Sequence, residues 1–219
     1  MKIVFSIAFC LIGLISYTQN FAQTVNRQSA QIDFRLPTPT GNNGFFKTVD
    51  GVADVNLNYN YPILKNVYIG VGGKMAIMQV NDFKTGLNSV INANYNAISA
   101  NGILGYKKQY NDKFYLDYAL RIGYAWTTYT SLYNASNTKL QNTHSDLFFE
   151  PSIGGYLFAN ENVAYGMILG YAIKMDQFHY SKYGIPTILP GFQESQFEGI
   201  TQYFTVGFGV QAYFGKKKH

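Results

Sequence analysis

The sequence predicts an all-β fold, an eight-stranded antiparallel transmembrane up-and-down β-barrel preceded by a cleaved signal peptide, and three observations carry that reading. The first is the stretch 114–127, in which Phe114, Leu116, Tyr118, Leu120, Ile122, Tyr124 and Trp126 alternate with Tyr115, Asp117, Ala119, Arg121, Gly123, Ala125 and Thr127. Period two marks a strand. One face is a continuous large apolar stripe, and the other mixes small residues with an Asp and an Arg that a soluble sheet would not bury beside its core. Apolar outside and polar inside is the pattern of a barrel with lipid around it. The second observation is that no run beyond residue 22 approaches the ~20 apolar residues of a membrane helix. A chain that spans a membrane without such a helix must pair its backbone in a closed barrel. The third is that strand alternation recurs eight times, with connections that run long, short, long, short, long, short, long, the parity of barrels with long outer loops and short inner turns.

Composition agrees. Of the 219 residues 47% are hydrophobic and only 13% charged, with 19 Tyr, 17 Phe and 21 Gly; a soluble domain carries about a quarter charged. Of the formal net charge of +5, all but one unit resides at the chain ends, in Lys2 and in Lys216 to Lys218. Removing those four of the 17 basic residues leaves 13 against 12 acidic ones, which excludes the basic footprint of a nucleic-acid binder. Met1-Lys2, the apolar run 3–15, the polar stretch 16–20 and the small Ala22 read as a secretory signal. The expected division is therefore 1–22 signal peptide, 23–214 barrel and 215–219 basic tail. Cys10 leaves with the signal, so no disulfide is expected.

The strands follow in order. Residues 29–36 set Ala30, Ile32, Phe34 and Leu36 against Gln31, Asp33 and Arg35, with Pro37 and Pro39 ending the strand before a loop of Gly and Asn. Residues 52–61 alternate Ala53, Val55, Leu57, Tyr59 and Tyr61 with Asp54, Asn56, Asn58 and Asn60, and 62–66 is a short turn. The third strand, 67–78, faces Val67, Ile69, Val71, Met75 and Ile77 outward and Tyr68, Gly70, Gly72, Lys74 and Ala76 inward. Its Gly-Val-Gly-Gly-Lys lacks the spacing of a phosphate loop and opens no helix. After a polar loop at 81–89, the fourth strand starts with Ile91, Ala93, Tyr95 and Ala97 outward, then continues with Ala100, Gly102, Leu104 and Tyr106 outward. That phase slip near Ala97 and Ile98 predicts a β-bulge. The fifth strand is 114–127, and 129–145 is a long loop. The sixth, 147–158, points Glu150 inward and carries Pro151 as a bulge or irregularity. A tight turn at 160–162 leads to the seventh, 163–178. A long loop at 179–198 leads to the eighth, 200–214, with Phe204, Val206, Phe208, Val210, Ala212 and Phe214 outward. Tyr61, Tyr106, Phe114, Tyr165 and Phe214 fall at the short-turn ends and form an aromatic belt.

The closing strand, Gly-Phe-Gly-Val-Gln-Ala-Tyr-Phe at 207–214, resembles the C-terminal recognition strand of outer-membrane proteins, although Gly215 to His219 follow it. With the eight alternating strands, the chain resembles the small OmpA/OmpX-type barrel superfamily over its whole mature length. The resemblance implies a cell outer-membrane location with both mature termini periplasmic. A soluble barrel of the lipocalin kind is the alternative, and it would place Asp33, Asp54, Asp117, Arg121, Glu150 and Lys174 outside; the aromatic belt speaks against it.

Two constellations could carry function. Asp33, Asp54, Asp117 and Glu150 face Arg35, Lys74, Arg121 and Lys174 across an interior just wide enough for side chains to fill. They read as a paired ionic core, or as a narrow polar pathway without strong ion selectivity. In the last long loop, His179-Tyr180-Ser181 and Glu194 resemble the His-x-Ser and downstream Glu of outer-membrane lipid A deacylases, also eight-stranded barrels. The resemblance would make Ser181 the nucleophile, His179 its base and Glu194 the orienting group. Lys182 stands where that family has an oxyanion-hole Asn. His144-Ser145-Asp146 cannot form a relay, because neighbouring strand residues face opposite sides. No Cys/His cluster or Asp-rich loop suggests a metal, no cofactor is expected, and Asn134-Ala135-Ser136 is a sequon without evident use. The expected role is structural or surface-binding, through four long extracellular loops, without catalysis. The partners expected are outer-membrane lipid and an unidentified extracellular ligand, with no nucleic acid, and the barrel is expected to be a monomer. A lipid A deacylase-like hydrolase and a small-solute pore are the alternatives.

Overall fold

The computed structural model describes residues 25–80, 91–133, 138–183, 193–197 and 199–215. The expected signal peptide, the loop at 81–89, the sequon and the tail beyond Gly215 lie outside the described residues. The strands are β1 (Gln28–Gly41), β2 (Val49–Leu64), β3 (Val67–Val80), β4 (Ile91–Gln109), β5 (Phe114–Tyr133), β6 (Thr138–Phe158), β7 (Val163–Gln177) and β8 (Ile200–Phe214). Each is antiparallel to its sequence neighbour, and β8 returns to β1 from Gln28↔Phe214 to Gly41↔Thr201, which closes the barrel and brings the two strand ends together at the short-turn side.

The alternation sorts the side chains as a lipid-facing wall requires. Phe34 is 59% exposed between Asp33 and Arg35, which are 0% and 4% exposed. Leu57, Val71, Leu120, Leu169 and Phe208 stand out on the other strands, over Asn58, Lys74, Arg121 and Lys174 inside. Tyr61, Tyr165 and Phe214 are exposed at the short-turn end as the belt predicted, and Tyr124 and Trp126 are exposed towards the opposite end. From Phe114 to Trp126 the outer face of β5 is unbroken apolar. Twelve residues rise roughly 40 Å along a strand, about 30 Å along the axis of a barrel tilted in the usual range, which suits an apolar band with its two girdles.

Several boundaries differ from the sequence reading. Pro37 and Pro39 do not end β1. The ladder of β1 to β2 stops at Arg35↔Asp54, and β1 continues to Gly41 against β8 alone, so prolines lie where only one neighbour needs pairing. β2 likewise starts at Val49 and runs through Pro62 to Leu64, leaving Lys65 and Asn66 as the turn, with Asn66 at φ 67. The region between β1 and β2 is helical, α1 (Asn43–Thr48). Gly41 supplies the positive φ of 74 that turns the chain off β1, and Asn42 caps the helix by accepting from the Phe45 N–H at 3.0 Å.

The expected long loop at 129–145 is instead the top of a hairpin, since β5 runs to Tyr133 and β6 starts at Thr138, paired from Tyr133↔Thr138 downward. β4 carries no bulge. Its register runs unbroken from Gln79↔Asn94 to Val67↔Tyr106 and from Ile91↔Tyr133 to Gln109↔Tyr115. Ala93, Tyr95 and Ala97 are therefore buried inside, on the same face as Ser99 and Asn101, and Asn94 and Asn96 look outward. Pro151 does interrupt the β6–β7 ladder, between Phe149↔Ile173 and Ser152↔Gly170, with the same register on both sides and hence an irregularity without a bulge. β7 ends at Gln177, and the final loop holds 3-10 helices at Tyr180–Tyr183 and Glu194–Phe197.

β5 and β6, 20 and 21 residues long, exceed the 9 to 11 residues a bilayer takes. Their upper halves therefore project beyond the lipid band.

A charge on the lipid face should cost about 2–4 kcal/mol at the bilayer midplane. Leu169→Arg should lower the unfolding free energy in vesicles by that amount, whereas the inward Ala119→Ser should barely change it. The folded protein should also run ahead of the boiled protein on a detergent gel.

Candidate functional site

Among the described residues the lumen gathers the largest cluster of charged side chains, within three tiers of packing. The middle tier is ionic. Glu150 of β6 accepts from Arg35 Nη1 at 2.6 Å and from Arg121 Nη1 at 3.3 Å, and Lys74 donates to its other oxygen. Arg35 also reaches Asp33 at 2.5 Å, Arg121 lies 3.5 Å from Asp33, and Lys74 meets Asp54 at 2.8 Å. Three acids and three bases from β1, β2, β3, β5 and β6 form one neutral cluster, all of it buried. A lone charge there would cost several kcal/mol, and mutual pairing with hydrogen bonds offsets that cost. Six of the eight residues expected in the network therefore meet. Asp117 and Lys174 do not join them. Asp117, one tier down, accepts from Tyr68 Oη at 2.7 Å and Gln211 Nε2 at 3.0 Å. Lys174, one tier up, donates to Tyr95 Oη at 2.9 Å and to Thr127.

The lower tier is a tyrosine cage at the short-turn end. Tyr115, Tyr156 and Tyr213 pack with Val25, Ala164 and Ile168, Tyr115 stacking on Tyr156 at 5.2 Å. Lys107, fully enclosed, donates to Gln211 at 3.1 Å and Tyr213 Oη at 3.2 Å, with its ammonium 4.7 Å from the Tyr213 ring. Arg27 crosses the mouth and donates to Asn162 Oδ1 at 3.0 Å. Residues 25–27 thus lie over the lower opening.

The upper tier is an apolar core. Phe45 of α1 is completely buried against Phe178 and Tyr95, at 5.1 and 5.7 Å between ring centres, and Tyr129, Tyr183, Phe197 and Tyr203 belong to the same cluster. Asn42 ties the first connection to the last, because its Nδ2 donates to the carbonyls of Phe197 and Gly199, each at 3.1 Å. A cavity of about 10 Å³ beside Asp117, Arg121, Ser152 and Tyr156 has room for about one water.

The loop constellation is partly assembled. His179 Nδ1 lies 2.7 Å from Ser181 Oγ and accepts from the Ser181 N–H at 3.2 Å. Both contacts are made within one turn at the start of a 3-10 helix, so the same nitrogen serves the hydroxyl and the backbone. The His179 ring packs edge-on to Phe197 at 5.9 Å. Glu194 is exposed at the first position of the other 3-10 helix. Lys182 turns away from the pair, donating to Asp176 and to the Gln177 carbonyl. His144 and Asp146 share the inner face of β6 while Ser145 faces out, as adjacent strand positions must. Among the described residues no group of three His, Cys, Asp or Glu is placed to hold a metal.

The sequence reading does not name Lys107, Gln31 or Gln211 as site residues, although all three fall on inward positions. It also misses the apolar upper core, because it sets Ala93, Tyr95 and Ala97 outward and Phe45 in a loop.

No family model matches the chain, and no curated protein matches it. Solved structures do. A major outer membrane protein from Thermus thermophilus aligns at TM-score 0.54 with 8% identity, over 85% of this chain and 99% of that one. The attachment invasion locus protein of Yersinia pestis aligns at 0.41 with 13% identity, over 85% and 98%, and the outer membrane protease OmpT of Escherichia coli at 0.39 with 8% identity, over 90% and 99%. The Thermus likeness, at 8% identity, speaks to the fold alone, which is that of an outer-membrane β-barrel.

Glu150 is the hub of the ionic tier, so Glu150→Gln should leave Arg35, Lys74 and Arg121 under-compensated and cost about 3–5 kcal/mol of stability. Unfolding of the refolded protein in urea would measure it, and a loss below about 1 kcal/mol would mean that the cluster is hydrated or rearranged.

Proposed function

We propose that the chain is a sealed outer-membrane barrel with both mature termini periplasmic, acting in envelope structure and surface contact, without conduction or catalysis. The observation that carries this is that packed side chains cross the lumen at each of its three described levels: a tyrosine cage, a neutral ionic cluster, and an apolar core clamped by Asn42. A conducting barrel needs a continuous wet path, and the described side chains interrupt one at each tier, with the cavity beside Arg121 roomy enough for about one water. What remains available to partners is the part of β4 to β6 that rises above the lipid band, with the loops at its top. The exposed Gln141, Asn142, Thr143 and Ser145 of this region suit adaptable contacts.

The hydrolase reading keeps one supporting observation, the 2.7 Å contact of His179 and Ser181. An acyl-transfer site also needs a donor fixed where the oxyanion develops, and Lys182 spends its ammonium on Asp176.

Purified protein in planar bilayers should show no steady single-channel conductance, and a stable open level would replace this reading by the pore. Lipid A extracted from cells with the gene intact, deleted or carrying Ser181→Ala should have one acyl pattern by mass spectrometry. Loss of an acyl chain only when Ser181 and His179 are both present would make the protein a hydrolase.

A further inference from the structure

On the outer wall, just above Trp126, the side chains change character in register. The row Ile98↔Trp126↔Ser145 is followed by Asn96↔Thr128↔Thr143, and then by Gln79↔Asn94↔Thr130↔Gln141 across four strands. Adjacent strands stand about 4.8 Å apart and successive outward rows about 6.7 Å apart. The result is a flat grid of hydroxyl and amide groups, roughly 14 Å wide at the upper row, with an indole at its lower edge. Every one of the seven positions in the two upper rows is uncharged; the lower of these rows ends at Ile77 beside Asn96, and the upper at Asp50 beside Gln79. Water-facing protein surface usually carries roughly a quarter to a third charged residues, and here Lys139 appears only one row higher. The grid is also free to bind. Apart from a Thr128–Thr143 contact at 3.4 Å, no side chain of the two upper rows is hydrogen-bonded to another described residue.

We propose that this grid binds the headgroup sugars of the outer-leaflet glycolipid, which makes the wall, and not only the loops, an interaction surface. The inference rests on the membrane reading of the barrel. Position selects the partner: an upper aromatic girdle marks the lipid interface, so the next rows outward stand at the level of the headgroups. Chemistry selects the sugars over their phosphates. Thr hydroxyls donate and accept, and Asn and Gln amides offer two donors and two lone pairs, which matches polyhydroxylated rings, while the absence of Lys and Arg from the grid gives an anion nothing to pair with. Trp126 and Tyr124, whose hydroxyl donates to Ser145 at 3.2 Å, offer flat faces for the apolar side of a ring.

Trp126 is the single tryptophan of the chain and therefore reports on the grid directly. The protein refolded in phosphatidylcholine vesicles would be titrated with core oligosaccharide released from the glycolipid, and separately with inorganic phosphate, at low and high salt. The expected result is a saturable change in Trp126 emission with the oligosaccharide, the same at both salts, and none with phosphate. Thr128→Val with Gln141→Leu should weaken it about tenfold or more, since two or more hydrogen bonds are lost, while the heat-dependent gel shift persists. A folded, inserted protein without a sugar response, an undiminished response in the double variant, or a phosphate response that salt abolishes would each overturn the proposal alone. Failure to insert into vesicles at all would overturn the membrane reading with it.

Discussion

The constraint behind this structure is that a backbone in lipid has no water to pair with, so every strand needs two neighbours over the depth of the bilayer. Eight antiparallel strands satisfy it by joining β8 to β1. Closure then fixes the lumen at a width that side chains can fill, which turns the interior into a packing problem with polar residues. The chain solves it by charge neutrality at mid-height, where Glu150 gathers three cations, and by aromatic packing at the two ends. The places where strands lack a second partner are consistent with the same constraint. β1 leaves β2 after Arg35, its prolines follow, and α1 enters the opening with Phe45 buried.

Most of the barrel was legible in the sequence because alternation is a local signal with a period of two. Asp33, Asp54, Asp117, Arg121, Glu150 and Lys174 fall on the inner face as their positions predicted, and the bounds of β8 match residue for residue. What alternation cannot give is partnership across the lumen. That Asp33 meets Arg35 and Arg121, while Asp117 turns to Tyr68 and Gln211, depends on the stagger of strands far apart in sequence. The contact of His179 with Ser181 was legible because the residues are two apart, whereas the geometry of Glu194 relative to them is set by a 22-residue connection between β7 and β8.

The misreading of β4 has a more specific cause. A period-two pattern tells which face is apolar and leaves open which side is wet. Within the bilayer the apolar face is outside; above it, water is outside and the capping core of Phe45, Tyr129 and Phe178 is inside, so the apolar face points inward. Asn92, Asn94 and Asn96 against Ala93, Tyr95 and Ala97 therefore follow one continuous strand whose surroundings invert, and what reads as a bulge is a change of medium. The loop expected at 129–145 fails for the same reason, because Thr128, Thr130, Gln141 and Thr143 are the wet outer face of regular strands.

The inversion also locates the interface. On β4 the outward residues turn from Ile98 to Asn96, on β5 from Trp126 to Thr128, on β6 from Leu147 to Ser145, and on β3 from Ile77 to Gln79. The ladders put Ile98, Trp126 and Ser145 on one row and Ile77 beside Asn96 on the next, so four independent stretches of sequence change within about one row of each other. Random polar substitutions on separate strands would have no reason to align across hydrogen-bonded neighbours. A planar boundary between two solvents does impose that alignment, and it divides the wall into a part selected for lipid and a part selected for whatever lies above it.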